Sequence, residues 1–149
     1  MNERGDTQAE AKLLMHELSI ATSMIEMAGE EAARHPDTRV VALHLKLGSL
    51  SGVVKDALLF SYEIASSGTS LEGSRLVIEE VPLTVYCATC DAEKVVDSIQ
   101  RMCCPQCGGL TPTIVRGREL EVTALELESI DVQPAAVLET DIFATELTQ

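Results

Sequence analysis

Four cysteines form the clearest chemical pattern in this sequence. They stand in two Cys-x-x-Cys pairs, Cys87 with Cys90 and Cys104 with Cys107, separated by thirteen residues. Two such pairs can bring four thiolates to the corners of a tetrahedron, which is the geometry that Zn(II) accepts in structural sites. Because four protein ligands leave no open position for water, we expect a closed structural zinc site that does no catalysis.

Two other interpretations of the cysteine pairs stay open from the residues alone. A rubredoxin-like iron site would use the same sulfur cage, and the run CPQCGG resembles one of its knuckles. The short gap between the pairs and the scarcity of aromatic residues disfavour it. A thioredoxin-like redox pair is also disfavoured, because neither pair opens a helix after a strand in a βαβ unit. The fifth thiol, Cys103, is one residue too far from Cys107 for such a pair and is expected to be free and partly buried.

A histidine near the N-terminus is the second candidate for metal chemistry. His16 stands between Met15 and Glu17, at the start of a stretch with helical periodicity. A zinc-peptidase helix would need another histidine four residues on, where this chain has Ile20. The residues alone favour a partly solvated histidine near a helix start, and His44, on the polar face of a strand, is likewise expected to be solvated.

The composition excludes several classes of function. The formal net charge is −13 and only 3% of residues are aromatic, whereas nucleic-acid binding needs cations for the phosphates and rings for stacking. The sequence has no apolar run of signal-peptide or membrane-span length, so we expect a cytoplasmic protein with no membrane and no nucleic-acid partner. It also lacks the phosphate-binding motif G-x-x-x-x-G-K-[ST], which argues against GTP binding by this chain.

Hydrophobic periodicity predicts the elements that must position these groups. Apolar residues at three- and four-residue steps from Leu18 predict a first helix that ends before Pro36. Alternation over 39–48 predicts a half-buried strand, and the stripe over 53–65 predicts a second helix.

Two further strands are predicted on either side of the thirteen-residue cysteine interval. The run 74–86 is rich in β-branched residues, but Pro82 suggests that its distal part is an edge or leaves the sheet. The run 118–128 alternates and then changes phase at Leu125, which indicates either a bulge or a strand buried on both faces. The predicted fold class is therefore α+β, with two helices packed on a small sheet of about three strands and an inserted zinc-ribbon domain with four cysteine ligands.

Several motifs occur here in one fixed order. They are Met-His-Glu at the head of the first helix, LKLGSLSGV at a strand end, SLEGSRLVIEE before the first cysteine pair, CCPQCGG, and a closing GRELEVTALELE. Together they resemble the HypA/HybF family of hydrogenase maturation nickel chaperones, over roughly residues 15–129. This ordered combination is more specific than any of its motifs alone.

The resemblance implies a non-enzymatic nickel metallochaperone. Ni(II) would be the transferred cargo, bound at Met15, His16 and Glu17. Zn(II) would be structural, and its ligands are Cys87, Cys90, Cys104 and Cys107. The implied partners are the maturation GTPase of the nickel-insertion pathway, the NiFe-hydrogenase large subunit precursor that receives the nickel and, in some relatives, urease maturation proteins. Glu17 and the exposed face of the first helix are expected to contribute to docking.

The nickel end of this chain departs from the family pattern. In the family, the α-amine, the next two amide nitrogens and the imidazole supply the tetragonal nitrogen field that Ni(II) accepts. Here fourteen residues precede Met15, which therefore has an amide instead of an amine. Either the working protein starts at Met15, which we favour, or this chain binds nickel differently. Some relatives add a carboxylate near the start of the second helix, but Val54 and Lys55 stand there, and the nearby Asp56 is not predicted to bind.

The sequence leaves two rival functions open and divides the chain into four expected units. A zinc-ribbon module for protein interaction or nucleic-acid binding would need a basic ribbon, but the interval 91–101 carries three acids against Lys94 and Arg101. A rubredoxin-like electron carrier would bring iron and visible colour. The expected units are an N-terminal extension at 1–14 that is disordered or not native, a nickel-binding α+β domain at 15–86 plus 115–129, a zinc ribbon at 87–114, and a loose tail at 130–149.

Overall fold

The computed structural model describes residues 3–130, in which helices and strands follow one another in the predicted α+β order. The predicted tail from residue 131 onward lies outside the described residues. Within them, no helix is both long and apolar enough to cross a bilayer. The elements are α1 Glu3–Ala32, β1 Thr38–Gly48, α2 Lys55–Ser66, β2 Arg75–Val81, β3 Thr84–Cys87, β4 Ala92–Val95, a 3-10 turn Ile99–Arg101, β5 Thr113–Arg116 and β6 Leu120–Ser129.

The larger unit is a three-stranded sheet with both helices on one face, as the sequence predicts. The strand order is β2-β1-β6, with β1 parallel to β2 and antiparallel to β6. The parallel pair requires a crossover, and α2 supplies it. Helix α1 packs against α2, and the buried side chains of both helices meet those of β1 in one core. Its members are Ala21, Met24, Ile25, Ala28, Val40, Leu43, Leu45, Leu58, Tyr62 and Leu71.

Helix α1 begins at Glu3, well before the predicted start near Leu18, so the described part of the expected extension at 1–14 is helical. The segment 6–14 contains Ala, Glu, Gln, Lys and Leu, which have strong helix propensities, and no glycine or proline. The segment lacks an apolar stripe, and helices are recognised in a sequence mainly by such a stripe. The predicted helix therefore started too late. In the structure, Met15, His16 and Glu17 lie in the interior of the helix and not at its head.

The phase change in the last strand is a bulge. In the β1–β6 ladder, Leu45 pairs with Val122 and His44 pairs with Ala124, so Thr123 has no partner of its own. The extra residue returns the following leucines to the helix-covered face of the sheet, where Leu125 and Leu127 pack on the core.

The smaller unit is a second three-stranded sheet with the order β4-β3-β5. The chain leaves the first sheet at Pro82, as predicted, because proline has no N–H to offer a ladder. This second sheet extends from Thr84 to Arg116 and is wider than the predicted ribbon range 87–114. Its small core contains Leu83, Val85 and Val96, with Leu50 packed against it from the loop after β1.

Two glycines join the two units. A Cβ on Gly48 would lie 2.2 Å from the carbonyl oxygen of Gly117, so no side chain fits at this crossing. The close approach allows the Gly48 N–H to donate to the Glu119 carbonyl at 2.7 Å, and the Leu50 N–H to donate to the Gly117 carbonyl at 2.6 Å. Gly117 has φ 127°, a backbone conformation that glycine tolerates. The junction therefore holds the ribbon against the end of β1.

Candidate functional site

The four cysteines of the two pairs converge at one end of the ribbon. Cys87 ends β3 and Cys90 follows in the turn to β4, while Cys104 and Cys107 lie in the turn after the 3-10 segment. Their four sulfur atoms all lie within 4.8 Å of one another. Among the histidine, cysteine and acidic side chains of the described residues, these four cysteines form the group whose donor atoms lie close enough together to hold a metal ion.

The spacing of the sulfurs fits a tetrahedral ion. The Sγ atoms of Cys87 and Cys107 are 3.5 Å apart, and those of Cys90 and Cys104 are 3.9 Å apart. Four sulfurs at the usual zinc–sulfur bond length sit about 3.8 Å from one another in a regular tetrahedron. A disulfide would require about 2.05 Å, so these pairs are not bridged. The residues present therefore fit Zn(II).

Backbone N–H groups support the sulfurs in both turns. The Cys90 N–H donates to the Cys87 sulfur at 3.4 Å, and the Cys107 N–H donates to the Cys104 sulfur at 3.5 Å. After the second pair, Gly108 has φ 76°, and the Gly109 N–H donates to the Cys107 sulfur at 3.4 Å. The glycines thus allow the tight turn and the approach of the N–H groups to the sulfurs.

The same contacts make the four thiols electrostatically unequal. The N–H groups of Cys107 and Gln106 point at the Cys104 sulfur and, against the effect of burial, lower the pKa of this thiol to about 6. Desolvation, followed by hydrogen bonds from the neighbouring thiols, raises the pKa of Cys90 to about 12. Without an ion, Cys104 is therefore the first of these two thiols to ionise.

Cys103 lies outside the cluster. It is a free, exposed cysteine and forms an isolated β-bridge with Leu110. The prediction of a free thiol is correct, but the expected partial burial is not.

The predicted nickel end is occupied by helix contacts. Because α1 runs through Met15, His16 and Glu17, helix geometry pairs their amide N–H groups with carbonyls four residues earlier. The His16 side chain is 58% exposed, and its Nδ1 lies 3.3 Å from Glu17 Oε1. Nδ1 is the ring nitrogen that can close a six-membered chelate with the amide of its own residue. In this helical state, Nε2 is the donor that His16 leaves open.

Glu17 is completely buried, which the sequence did not indicate. Its side chain is 0% exposed, and Oε2 has no hydrogen-bond partner. Burying a carboxylate with an unpaired oxygen costs free energy, so Glu17 destabilises the fold at this position. The expectation that Glu17 contributes to docking is therefore wrong for this helical state, since its side chain does not reach the surface.

The remaining candidates do not join either site. His44 lies on the uncovered face of the sheet and is partly exposed, as predicted, with its Nε2 3.6 Å from Glu126 Oε1. Asp56 lies in the first turn of α2.

An apolar cavity beside His16 was missed by the sequence reasoning. It has a volume of about 450 Å³ and lies between α1 and the strands β1 and β6. Met24 and Met27 on the helix face Leu120 and Val122 on the strand. The methionine spacing in α1 could have indicated it, but only the bulged register of β6 determines which strand residues face the helix.

Comparison with known proteins agrees with this combination of fold and cysteine cluster. Residues 15–127 match the family model described as hydrogenase/urease nickel incorporation, metallochaperone, hypA. A hydrogenase maturation factor HypA from Roseiflexus sp. (strain RS-1) is 56% identical over 114 residues, which cover 76% of this chain and 93% of the relative. The corresponding factor of Chloroflexus aurantiacus (strain ATCC 29366 / DSM 635 / J-10-fl) is 48% identical over 112 residues, which cover 75% of this chain and 98% of the relative.

Two solved structures share the fold at low sequence identity. The solution structure of a HypA protein aligns with a TM-score of 0.57 and 20% identity, over 76% of this chain and 97% of that one. The solution structure of the Ni metallochaperone HypA from Helicobacter pylori aligns with a TM-score of 0.51 and 18% identity over the same shares. Since the family model spans most of the chain and the cysteine cluster fits zinc, this chain belongs to the HypA family of hydrogenase/urease nickel-incorporation metallochaperones.

Proposed function

We propose that this chain carries Ni(II) at its Met15–Glu17 end and delivers it to the NiFe-hydrogenase large subunit precursor, without catalysing a reaction itself. The observation that carries the proposal is the contrast between a closed four-sulfur cluster and the exposed imidazole of His16 at the Met15–Glu17 end. A cargo ion must be taken up and released quickly, which suits an exposed end better than a closed cage.

The cysteine cluster serves this function as a structural support. We assign Cys87, Cys90, Cys104 and Cys107 as the zinc ligands, because their sulfurs have the spacing and the N–H bonds that a thiolate cage requires. When bound, Zn(II) supplies a cross-link between two short turns that have little core of their own. The Gly48–Gly117 junction then keeps the ribbon in place beside the sheet.

The nickel donors become available when the chain begins at Met15. The first four N–H groups of a helix have no partners within the helix. A chain that starts at Met15 therefore frees the amides of His16 and Glu17 and adds an α-amine. The fourth donor is His16 Nδ1, which must first leave its contact with the Glu17 carboxylate. The amine, the two amide nitrogens and this ring nitrogen then form a four-nitrogen field of the kind that Ni(II) accepts. In the longer chain, the helix engages both amides and the amine is missing.

The proposed partners are the nickel-pathway maturation GTPase and, as a second client route, urease maturation proteins. The family description names both hydrogenase and urease, which supports this range of clients. The docking face is the exposed side of α1 where Met15, Thr22 and Glu26 lie at the surface. Glu17 is not part of it, since it is buried.

Between Thr84 and Arg116 the ribbon carries three cations against three acids, so it offers no strongly basic surface that would favour nucleic-acid binding. Arg116 pairs with Glu93 within the ribbon sheet. Lys94 donates to the side-chain oxygen of Gln106, at 2.5 Å. These two cations are held by neighbours, and the whole chain carries a net charge of −13.

A nickel titration by calorimetry on two zinc-loaded chains tests the proposal. One chain begins at Met1 and the other at Met15. We expect tight binding in the shorter chain and much weaker binding in the longer one, because only the shorter chain offers an amine and free amides. Equal binding by both chains would contradict the assignment and direct the search to other donors, with His44, Cys103 and the carboxylates next.

A further inference from the structure

An apolar groove runs along α1 from the nickel end to the far end of the helix. Its first part is the cavity of about 450 Å³ that His16 borders. A second cavity of about 350 Å³ continues it as far as Leu125, and its lining also includes the charged residues Glu30, Glu31 and Arg34. Met27 and Val122 line both cavities, so the two form one continuous groove between α1 and β6.

The described part of the chain leaves this groove uncovered. Met27 is 52% exposed and Leu120 is 42% exposed, although both are large apolar side chains. Strand β6 is an edge of its sheet, and the residues that line the groove come from α1, β1 and β6, with none from α2. Large apolar side chains grouped in a groove indicate that something binds there.

The segment 131–149 of this same chain has the composition to fill it. Nine of its nineteen residues are apolar, and they include Phe143, one of only two phenylalanines in the protein. A segment that stays solvated usually has low hydrophobicity. The family match ends at residue 127, so this segment is an addition to the shared fold that needs its own place for these side chains.

The segment also starts at the right place and is long enough. The described chain ends at Ile130, whose N–H donates to the Asp37 carbonyl at 2.8 Å, close to the C-terminal end of α1. From Arg34 to His16 the groove follows α1 for about 27 Å. Nineteen residues span about 60 Å when extended and about 28 Å as a helix, so either form reaches the cavity beside His16.

We propose that segment 131–149 docks into the α1/β6 groove through its apolar residues Val137, Leu138, Ile142 and Phe143. The segment carries four acids and no lysine or arginine, in a protein of net charge −13. Electrostatic repulsion therefore opposes docking, and the contact must be apolar. Salt screens this repulsion, so docking should tighten as ionic strength rises, which is opposite to what a basic partner peptide in the same groove would show.

Methyl NMR of the full, zinc-loaded chain with ¹³C-labelled methionines tests this proposal. Met24 and Met27 report on the groove, and Met102 in the ribbon is an internal control. The double variant Ile142→Asp with Phe143→Asp should move the Met24 and Met27 signals and leave Met102 in place. The matched variant Thr140→Asp with Thr145→Asp adds the same charge at polar positions and should leave all three in place at high salt.

Three results would overturn the proposal. Met24 and Met27 signals that ignore the Ile142/Phe143 variant would mean that the segment is not in the groove. Met24 and Met27 signals that move when the unsubstituted chain is diluted would mean that a second copy of the chain occupies the groove. Equal shifts from both double variants would point to a general charge effect.

Proteolysis gives an independent check that leaves the segment unsubstituted. Met27→Glu places a charge in the groove, and Thr22→Glu places the same charge on an exposed position of α1 outside it. Chymotrypsin should cleave after Phe143 severalfold faster in the Met27 variant than in the unsubstituted chain and the Thr22 variant. Equal rates in all three chains would contradict docking.

Discussion

The cysteine cluster and the Met15–Glu17 end are built in opposite ways. The cluster uses four side-chain donors whose sulfurs already lie within 4.8 Å of one another. The proposed nickel site at that end would rely mainly on backbone nitrogens, which helix α1 engages in its own hydrogen bonds. Local spacing alone therefore produces the first site, whereas the second depends on where the helix starts. On this proposal, the structural ion has a preformed cage, whereas binding of the cargo ion depends on whether the backbone amides are free.

The largest expected effect is the loss of the preformed cage. Cys104→Ser removes the thiol with the lowered pKa, and three ligands no longer close the tetrahedron. Because structural zinc contributes about 10 kcal/mol or more in small sites, the ribbon should lose both its metal and its cooperative unfolding. Bound zinc is measured by elemental analysis, and ribbon order by amide hydrogen exchange of β3 to β5.

The neighbouring thiol supplies the matched control for this variant. Cys103 is exposed and outside the cluster, so Cys103→Ser should retain one zinc per chain. Stoichiometric zinc in the Cys104 variant would mean that Cys103 can replace the lost ligand. In that case the cluster would be less closed than its geometry indicates.

The second prediction tests whether the Gly48–Gly117 junction holds the ribbon against the larger sheet. Gly48→Ala puts a methyl group 2.2 Å from the Gly117 carbonyl oxygen, so the backbone must separate there. We expect a loss of about 3 kcal/mol in the free energy of unfolding, measured by urea denaturation of the zinc-loaded chain.

Gly52→Ala separates this clash from simple backbone strain. Gly52 has φ 79°, and a Cβ added there would meet no other atom. Alanine at this position should therefore lower the free energy of unfolding only through its left-handed backbone conformation, by about 1–2 kcal/mol. Equal losses for Gly48→Ala and Gly52→Ala would mean that the junction contributes little beyond strain.

The sequence was most informative where the relevant interactions are local. The Cys-x-x-Cys spacing, the exit from the first sheet at Pro82 and the change of phase before Leu125 each come from a few neighbouring residues, and all three appear in the structure. The choice of a bulge required the β1 partner, because a register shift is a property of two strands.

Sequence reasoning failed where burial depends on distant partners. Nothing in the run around Glu17 indicates that a carboxylate would be enclosed, since charged residues are seldom buried. The start of α1 was missed because residues 6–14 favour helix by propensity but show no apolar stripe. Both errors concern the N-terminal part of α1 around the proposed nickel site, where the structure depends on distant contacts more than it does in the ribbon.

The third prediction concerns that buried carboxylate. Glu17→Gln removes a charge whose Oε2 atom has no partner, while keeping the size and the polar contact to His16. We expect the free energy of unfolding to rise by about 1 kcal/mol, because the unpaired charge no longer has to be desolvated. Glu26→Gln, at an exposed position of the same helix, should change it by less than about 0.5 kcal/mol. Destabilisation by Glu17→Gln would show that the carboxylate makes a favourable contact.

The smallest effect on stability should accompany the largest effect on cargo binding. His16 is 58% exposed, and in a chain beginning at Met15 its removal by His16→Ala should change the free energy of unfolding by less than about 0.5 kcal/mol. Zinc content should be unchanged, since the cluster shares no atom with this end. Calorimetric nickel binding should nevertheless be lost, because the imidazole is the one side-chain donor in the proposed field. His44→Ala in the same chain is the matched control and should keep nickel binding, since His44 belongs to a surface pair with Glu126. If both variants bind nickel normally, cargo is held by neither histidine, and the contrast between a closed cluster and an open imidazole would no longer explain how the protein keeps one metal and transfers another.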